Sequence, residues 1–241
     1  MSKQDAKSAW SGQLIVGLGW AVLDARLGDN RSHAHVADQF TIGTDRPINI
    51  ITDERITAEK GQVVHIPSKT KHCLGPSGRS TRSVYFDPWL INRRARSQSK
   101  DVLITKHAAQ ALVEITSITG AEQWAKRYIR YSDDLPDQRL ATALRTPVQC
   151  LSPKALSSLT GLSPSRLREL SVRDYGVPPS KLTQWLQIQL AAKALAETTN
   201  LAEIAAHGGF SDQAHFTRRL VEWFGVTPSL GLAGIEVSLD A

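Results

Sequence analysis

The sequence predicts an α+β chain, with a small all-β unit in its first part and an all-α unit of repeated helix pairs in its last. Three observations carry this. From Gln13 to Asp87 the apolar residues alternate or run in short blocks closed by turn chemistry. Beyond that stretch the apolar spacing becomes helical, and a turn signature recurs about fifty residues apart, at Gly161-Leu162-Ser163 and Gly209-Phe210-Ser211. The 241 residues are enough for two domains with cores of their own.

The β unit reads from LIVGLGWAVL, QFTIG, INIIT, QVVHIP and SVYF, with GDN, GTDRP and GPSG among the turns between them. Many short strands at even spacing predict a sandwich or barrel, here assigned to residues 1–90. Residues 91–134 change character. Asn92–Lys100 (NRRARSQSK) is a basic polar run, and Leu103–Ile118 and Ala121–Tyr131 are expected to be helices. Ala108, Ala111, Leu112 and Ile115 share a face, which either dimerises or braces the β unit.

Residues 135–241 are expected to be all helical. Asn200 can cap a helix carrying Leu201, Ile204 and Ala205; Gly208-Gly209 allows a tight turn with Phe210 as its apolar anchor. Ser211 or Asp212 then caps a second helix with Phe216, Leu220 and Phe224 buried, leaving Gln213, Ala214, Thr217 and Arg218 outward. This is the logic of a helix-turn-helix, and Gln, Thr and Arg match base edges and phosphates. An earlier copy has Lys154–Thr160 as support helix, Ser163-Pro164 opening the reading helix, and Leu167 and Leu170 buried. Ser165, Arg166, Arg168 and Glu169 remain outward. Ser180–Thr198 links the two copies as a helix that fixes their separation.

Charge alone does not locate a nucleic-acid surface. The net charge is +6, yet residues 136–241 carry ten basic against nine acidic residues, so binding there rests on a few placed arginines. Cys73 and Cys150 provide no disulfide framework, and the sequence shows neither a membrane-length apolar run nor a secretory leader, so a cytoplasmic protein is expected.

The run Ile204-Ala205, Gly209-Phe210-Ser211, Phe216, Arg218 and Phe224-Gly225-Val226-Thr227-Pro228-Ser229 resembles the second helix-turn-helix of the AraC-type transcription regulators. The resemblance implies two reading helices entering neighbouring major-groove segments about 34 Å apart on promoter DNA. It implies base contacts from Ser165, Arg166, Glu169, Gln213, Ala214, Thr217 and Arg218, with Arg168, Arg173 and Arg219 directed to phosphate or solvent. Contact with RNA polymerase and homodimerisation are further candidate partnerships. Ser171-Val172, Gln187, Gln189 and Leu230–Leu232 depart from the family pattern, which predicts a weaker first reader.

Within the β unit, His33-Ala34-His35 with Gln39, and GQVVHIPSKTKH with Gly61, Pro67 and His72, resemble the two motifs of the cupin barrels. Gln39 replaces the usual Glu, and Lys69 the usual Gly. The expected fold is therefore a cupin-like barrel followed by an all-α domain with two helix-turn-helix motifs joined by a linking helix. His33, His35, Gln39 and His72 could form a metal site, an effector pocket or a solvated barrel rim. The reading taken is a pocket for an unknown small-molecule effector, polar or anionic, whose binding strengthens as the imidazoles protonate near neutral pH. No cofactor, metal or catalytic residue is assigned. The alternatives are a metal-dependent cupin enzyme carrying a helical domain, and a DNA-binding protein whose barrel only dimerises.

Overall fold

The computed structural model describes residues 8–90, 106–128, 136–145 and 152–240. The basic run Asn92–Lys100, Cys150 and the outer ends of the two connector helices lie outside these residues.

Eight strands lie in this stretch, all but β5 and β7 in the predicted blocks: β1 (Ser11–Val16), β2 (Trp20–Arg26), β3 (Asp38–Gly43), β4 (Ile48–Ile51), β5 (Arg55–Ala58), β6 (Val63–Ile66), β7 (Cys73–Gly75) and β8 (Ser80–Phe86). A ninth strand, β9 (Ile235–Leu239), comes from the far end of the chain. One sheet has the order β6-β3-β8-β2-β1-β9 and the other β5-β4-β7. Alternation divides β2 between two cores. Trp20 and Val22 face one, and Ala25 faces the other.

The connector contains α1 (Lys106–Val113) and α2 (Ile118–Tyr128). Ala108, Leu112 and Ile115 are buried against Phe40, Val84 and Phe86 of the sheet. Trp124 stacks on Phe86 with centroids 5.7 Å apart and donates its indole N–H to the Ala108 carbonyl. This face thus packs on the barrel. Asp240, just beyond β9, accepts from the Ile118 N–H at the start of α2 and from the Trp20 indole.

The remaining helices are α3 (Gln138–Arg145), α4 (Pro153–Thr160), α5 (Pro164–Tyr175), α6 (Pro179–Ala194), α7 (Leu201–His207), α8 (Gln213–Phe224) and the single turn α9 (Pro228–Gly231). Their ends are set by local chemistry. Ser152, Ser163, Asn200 and Asp212 accept from backbone N–H groups of the first turns of α4, α5, α7 and α8. Gly161, Gly176 and Gly225 close α4, α5 and α8 in the left-handed conformation.

The two parts are not separately packed. One core joins Leu27, Ile48, Ile50 and Ile66 of the barrel to Ile188 and Ala191 of α6 and to Phe216 and Leu220 of α8. A second places Val36, Ala37 and Trp89 among α3–α6 and Trp223. Gly208 lies against α6, where an added Cβ would meet Ala191 Cβ at 2.9 Å, so the α7–α8 turn sits tightly on the linking helix.

Candidate functional site

The two helix pairs present the predicted reading residues to solvent. In α5, Ser165, Arg166, Arg168 and Glu169 are exposed while Leu167 and Leu170 are buried. Arg166 Nη1 lies 2.6 Å from Glu169 Oε1, so two of the four already pair on one face. In α8, Gln213, Ala214 and Arg218 are exposed and Thr217 half-buried, over buried Phe216 and Leu220. Arg219 is held by Glu222, which also binds Lys181, and Arg173 is tied to buried Asp174 at 2.6 Å. Ser171, a departure from the family pattern, is fully buried and donates to the Val177 carbonyl at 2.5 Å. A small hydroxyl there closes the turn after α5.

The barrel brings His33, His35, Gln39 and His72 together, all buried. His33 and His72 exchange backbone hydrogen bonds at 2.9 and 2.8 Å. Each imidazole Nδ1 lies beside a carbonyl two residues away: Arg31 for His33, Ala37 for His35 and Thr70 for His72, at 2.8–2.9 Å. Those nitrogens therefore carry the protons. One end of the Gln39 amide lies 3.0 Å from His35 Nε2 and 3.1 Å from His72 Nε2, and its other end contacts the hydroxyls of Thr41 and Ser83. Neutral rings offer only lone pairs at Nε2. The network closes with the amide NH2 toward the imidazoles and its oxygen toward the hydroxyls, an orientation that a half-turn of the amide selects.

Burial holds these rings neutral. Desolvation and mutual repulsion push His33 down to about 4 and His72 to about 2, and desolvation lowers His35 as well. The expectation of imidazoles protonating near neutral pH is thus corrected: inside a closed barrel they have lost the water that would stabilise charge. One ring nitrogen from each of the three histidines lies within 4.8 Å of the others, and carbonyl-anchored Nδ1–H groups are how metal-binding imidazoles are commonly oriented. The fourth side chain is a neutral amide rather than a carboxylate, and it already satisfies two of the rings.

Beside this cluster lies a cavity of about 150 Å³. His33 and Gln39 reach it; most of its wall is apolar, from Trp10 and Leu23 of the barrel side, Ile188 and Leu195 near α6, and Phe216 and Leu220 of α8. Its polar lining includes Asp87, which sequence reasoning missed. Asp87 follows β8 and is 2 % exposed. Its Oδ1 accepts from the Trp185 indole at 2.6 Å and its Oδ2 from the Gln189 amide, both on α6.

Two further contacts escaped the sequence reading. The Arg31 N–H donates to the Gly225 carbonyl at 2.9 Å, and Lys69 Nζ donates to the Gly176 carbonyl at 2.7 Å. Gly176 and Gly225 close the two reading helices at equivalent places, so the barrel touches each reader at the same point. Lys69 adopts φ 67°, the conformation that glycine takes easily, and its side chain gives a cation to a helix C-terminus. Lys69→Gly should leave global stability within about 1 kcal/mol, because relief of left-handed strain offsets the lost contact. Amide exchange at the end of α5 should nonetheless quicken; unchanged protection there would show the contact to be idle.

Residues 156–230 match the family model described as a helix-turn-helix domain. These residues therefore form a helix-turn-helix domain. Among curated proteins nothing matches the chain. Solved structures of ToxT from Vibrio cholerae are similar in fold. An apo variant is 12 % identical with a TM-score of 0.56, over 88 % of this chain and 96 % of that one. A second ToxT structure is 11 % identical with the same TM-score, over 92 % and 97 %. A third, bound to an unsaturated fatty acid, is 11 % identical with a TM-score of 0.53, over 95 % and 96 %. The helix-turn-helix domain and the barrel before it thus share a fold with these proteins. Among the described residues, no helix is long and apolar enough to cross a membrane.

Proposed function

We propose that the protein is a sequence-specific transcription regulator in which α5 and α8 read neighbouring major-groove segments of promoter DNA, under control of a small molecule held between barrel and helices. The observation that carries the control is the cavity: one chamber is walled at once by the barrel, the linking helix and the second reader. A ligand there gains or loses contacts whenever those parts shift, which is what coupling to DNA affinity requires. ToxT, of the same fold, has been observed with an unsaturated fatty acid and with a naphthalenyl butenoic acid. The apolar wall favours a largely apolar effector, in place of the polar or anionic one expected from the histidines. His33 and Gln39 line the chamber directly, while His35 and His72 hold Gln39 from behind.

Residues 1–90 serve in this reading as the sensing unit, 91–134 as brace and 135–241 as reader. Homodimerisation, contact with RNA polymerase and a cytoplasmic location belong to the same reading. Arg218→Ala is the direct test. Arg218 stands exposed on α8 beside Gln213 and Thr217, and a guanidinium paired to guanine contributes about 1–3 kcal/mol. Binding to sites selected from random DNA should weaken roughly 5- to 150-fold, with base preference relaxed at one position. Unaltered affinity and preference would remove α8 as the reader. A sharper consensus over the half read by α8 than over the half read by α5 is also expected, given Ser171-Val172 in the first unit.

A further inference from the structure

We propose that the interdomain cavity takes a cationic amphiphile, an apolar molecule bearing an amine, with Asp87 as the partner of its charge. This deepens the effector reading above and rests on it.

The argument begins with what the chamber lacks. Among the described residues that line it there is no lysine or arginine, and its polar groups besides Asp87 are uncharged: His33, Gln39, Tyr85 and Gln189. His33 is kept neutral by burial. A carboxylate headgroup would therefore enter a space with no cation to meet it and one buried acid to repel it.

Asp87 supplies the second half. Both of its oxygens accept from neutral donors of α6, the Trp185 indole and the Gln189 amide. Neutral donors orient a carboxylate without balancing its charge. Burial pushes its acid up to about 7 despite those two bonds. An ammonium group brought to Asp87 would provide the missing charge in a site where solvent cannot compete. The aromatic faces of Trp10, Trp20, Trp185 and Phe224, which also line the chamber, suit a cation and its alkyl chain. The net charge of +6 works against non-specific uptake of a cation, so any preference for one must come from the site.

The test is calorimetric titration of the full chain with octylamine, octanol and octanoate, which share a chain and differ in headgroup. At pH 8 octylamine should bind at least tenfold more tightly than octanoate, and its affinity should fall as the pH drops through 7 and Asp87 takes up a proton. Asp87→Asn should abolish that preference and its pH dependence while leaving octanol unchanged. If Asp87→Asn fails to fold, the wild-type pH profiles decide: octylamine weakening on acidification supports the assignment, and a flat profile overturns it. Octanoate binding as tightly as octylamine, with octanol also bound, overturns the amine assignment and leaves the cavity reading standing. Failure of all three probes overturns both.

Discussion

Acidifying the protein from pH 6.5 to pH 5 is expected to lower its stability by about 2 kcal/mol or more, a large share of what a domain possesses. Folding holds His33 and His72 far below the ordinary imidazole value, so across this interval the unfolded chain binds protons that the folded chain refuses. Stability is complete above the unfolded value and is lost as the pH falls. Each ring contributes about 2 kcal/mol over 1.5 pH units, and His35 acts in the same direction. Asp87 opposes them. Its folded value is raised, so the native state alone takes up its proton and gains about 2 kcal/mol over the same interval. Urea midpoints at pH 7, 6 and 5 measure the sum, and Asp87→Asn should steepen the fall by removing the offset. A midpoint that holds or rises on acidification would show that the histidines are not kept neutral by the fold.

The second large effect concerns Gly225, where a methyl group has nowhere to go. A Cβ there would lie 2.1 Å from the Arg31 carbonyl oxygen and 2.8 Å from His33 Nδ1, at φ 69°. Gly225→Ala should cost about 3–5 kcal/mol, combining the left-handed penalty with overpacking of the barrel against α8. Gly161→Ala provides the control, since Gly161 has φ 64° and open space around its Cβ position, and should cost only about 1–2 kcal/mol. Equal losses in denaturant titrations would mean that the Arg31 loop yields freely and that the barrel does not grip the second reader.

These contrasts mark how far the sequence could be read. Caps, turn glycines and four-residue apolar spacing are local, so Asn200, Asp212, Gly161, Gly209 and the buried faces of α5 and α8 were legible. The convergence of His33, His35, Gln39 and His72 was legible because a barrel motif brings those strands together. Their protonation was not, since it depends on burial by the rest of the chain. Trp185 and Asp87 lie 98 residues apart, and no periodicity announces such a pair. The one hint was Lys69 standing in a glycine's place, a sign that its side chain earned the strain. Strand β9 escaped because five residues after a run of helices carry too little alternation to outweigh their setting.

That last strand ties the order of synthesis to the finished shape. Gly12 of β1 pairs in parallel with Ile235, so the sheet acquires its outer strand only after α1–α9 have emerged. Ile235 and Leu232 also wall the cavity, which means the chamber is completed from both ends of the chain. A nascent chain cannot close this chamber before α6 and α8 exist. A chimaera joining this barrel to another protein's reader would inherit an open edge on β1 and a chamber with one side missing. Sensor and reader are in this sense a single product, made together and separable only by unmaking the sheet.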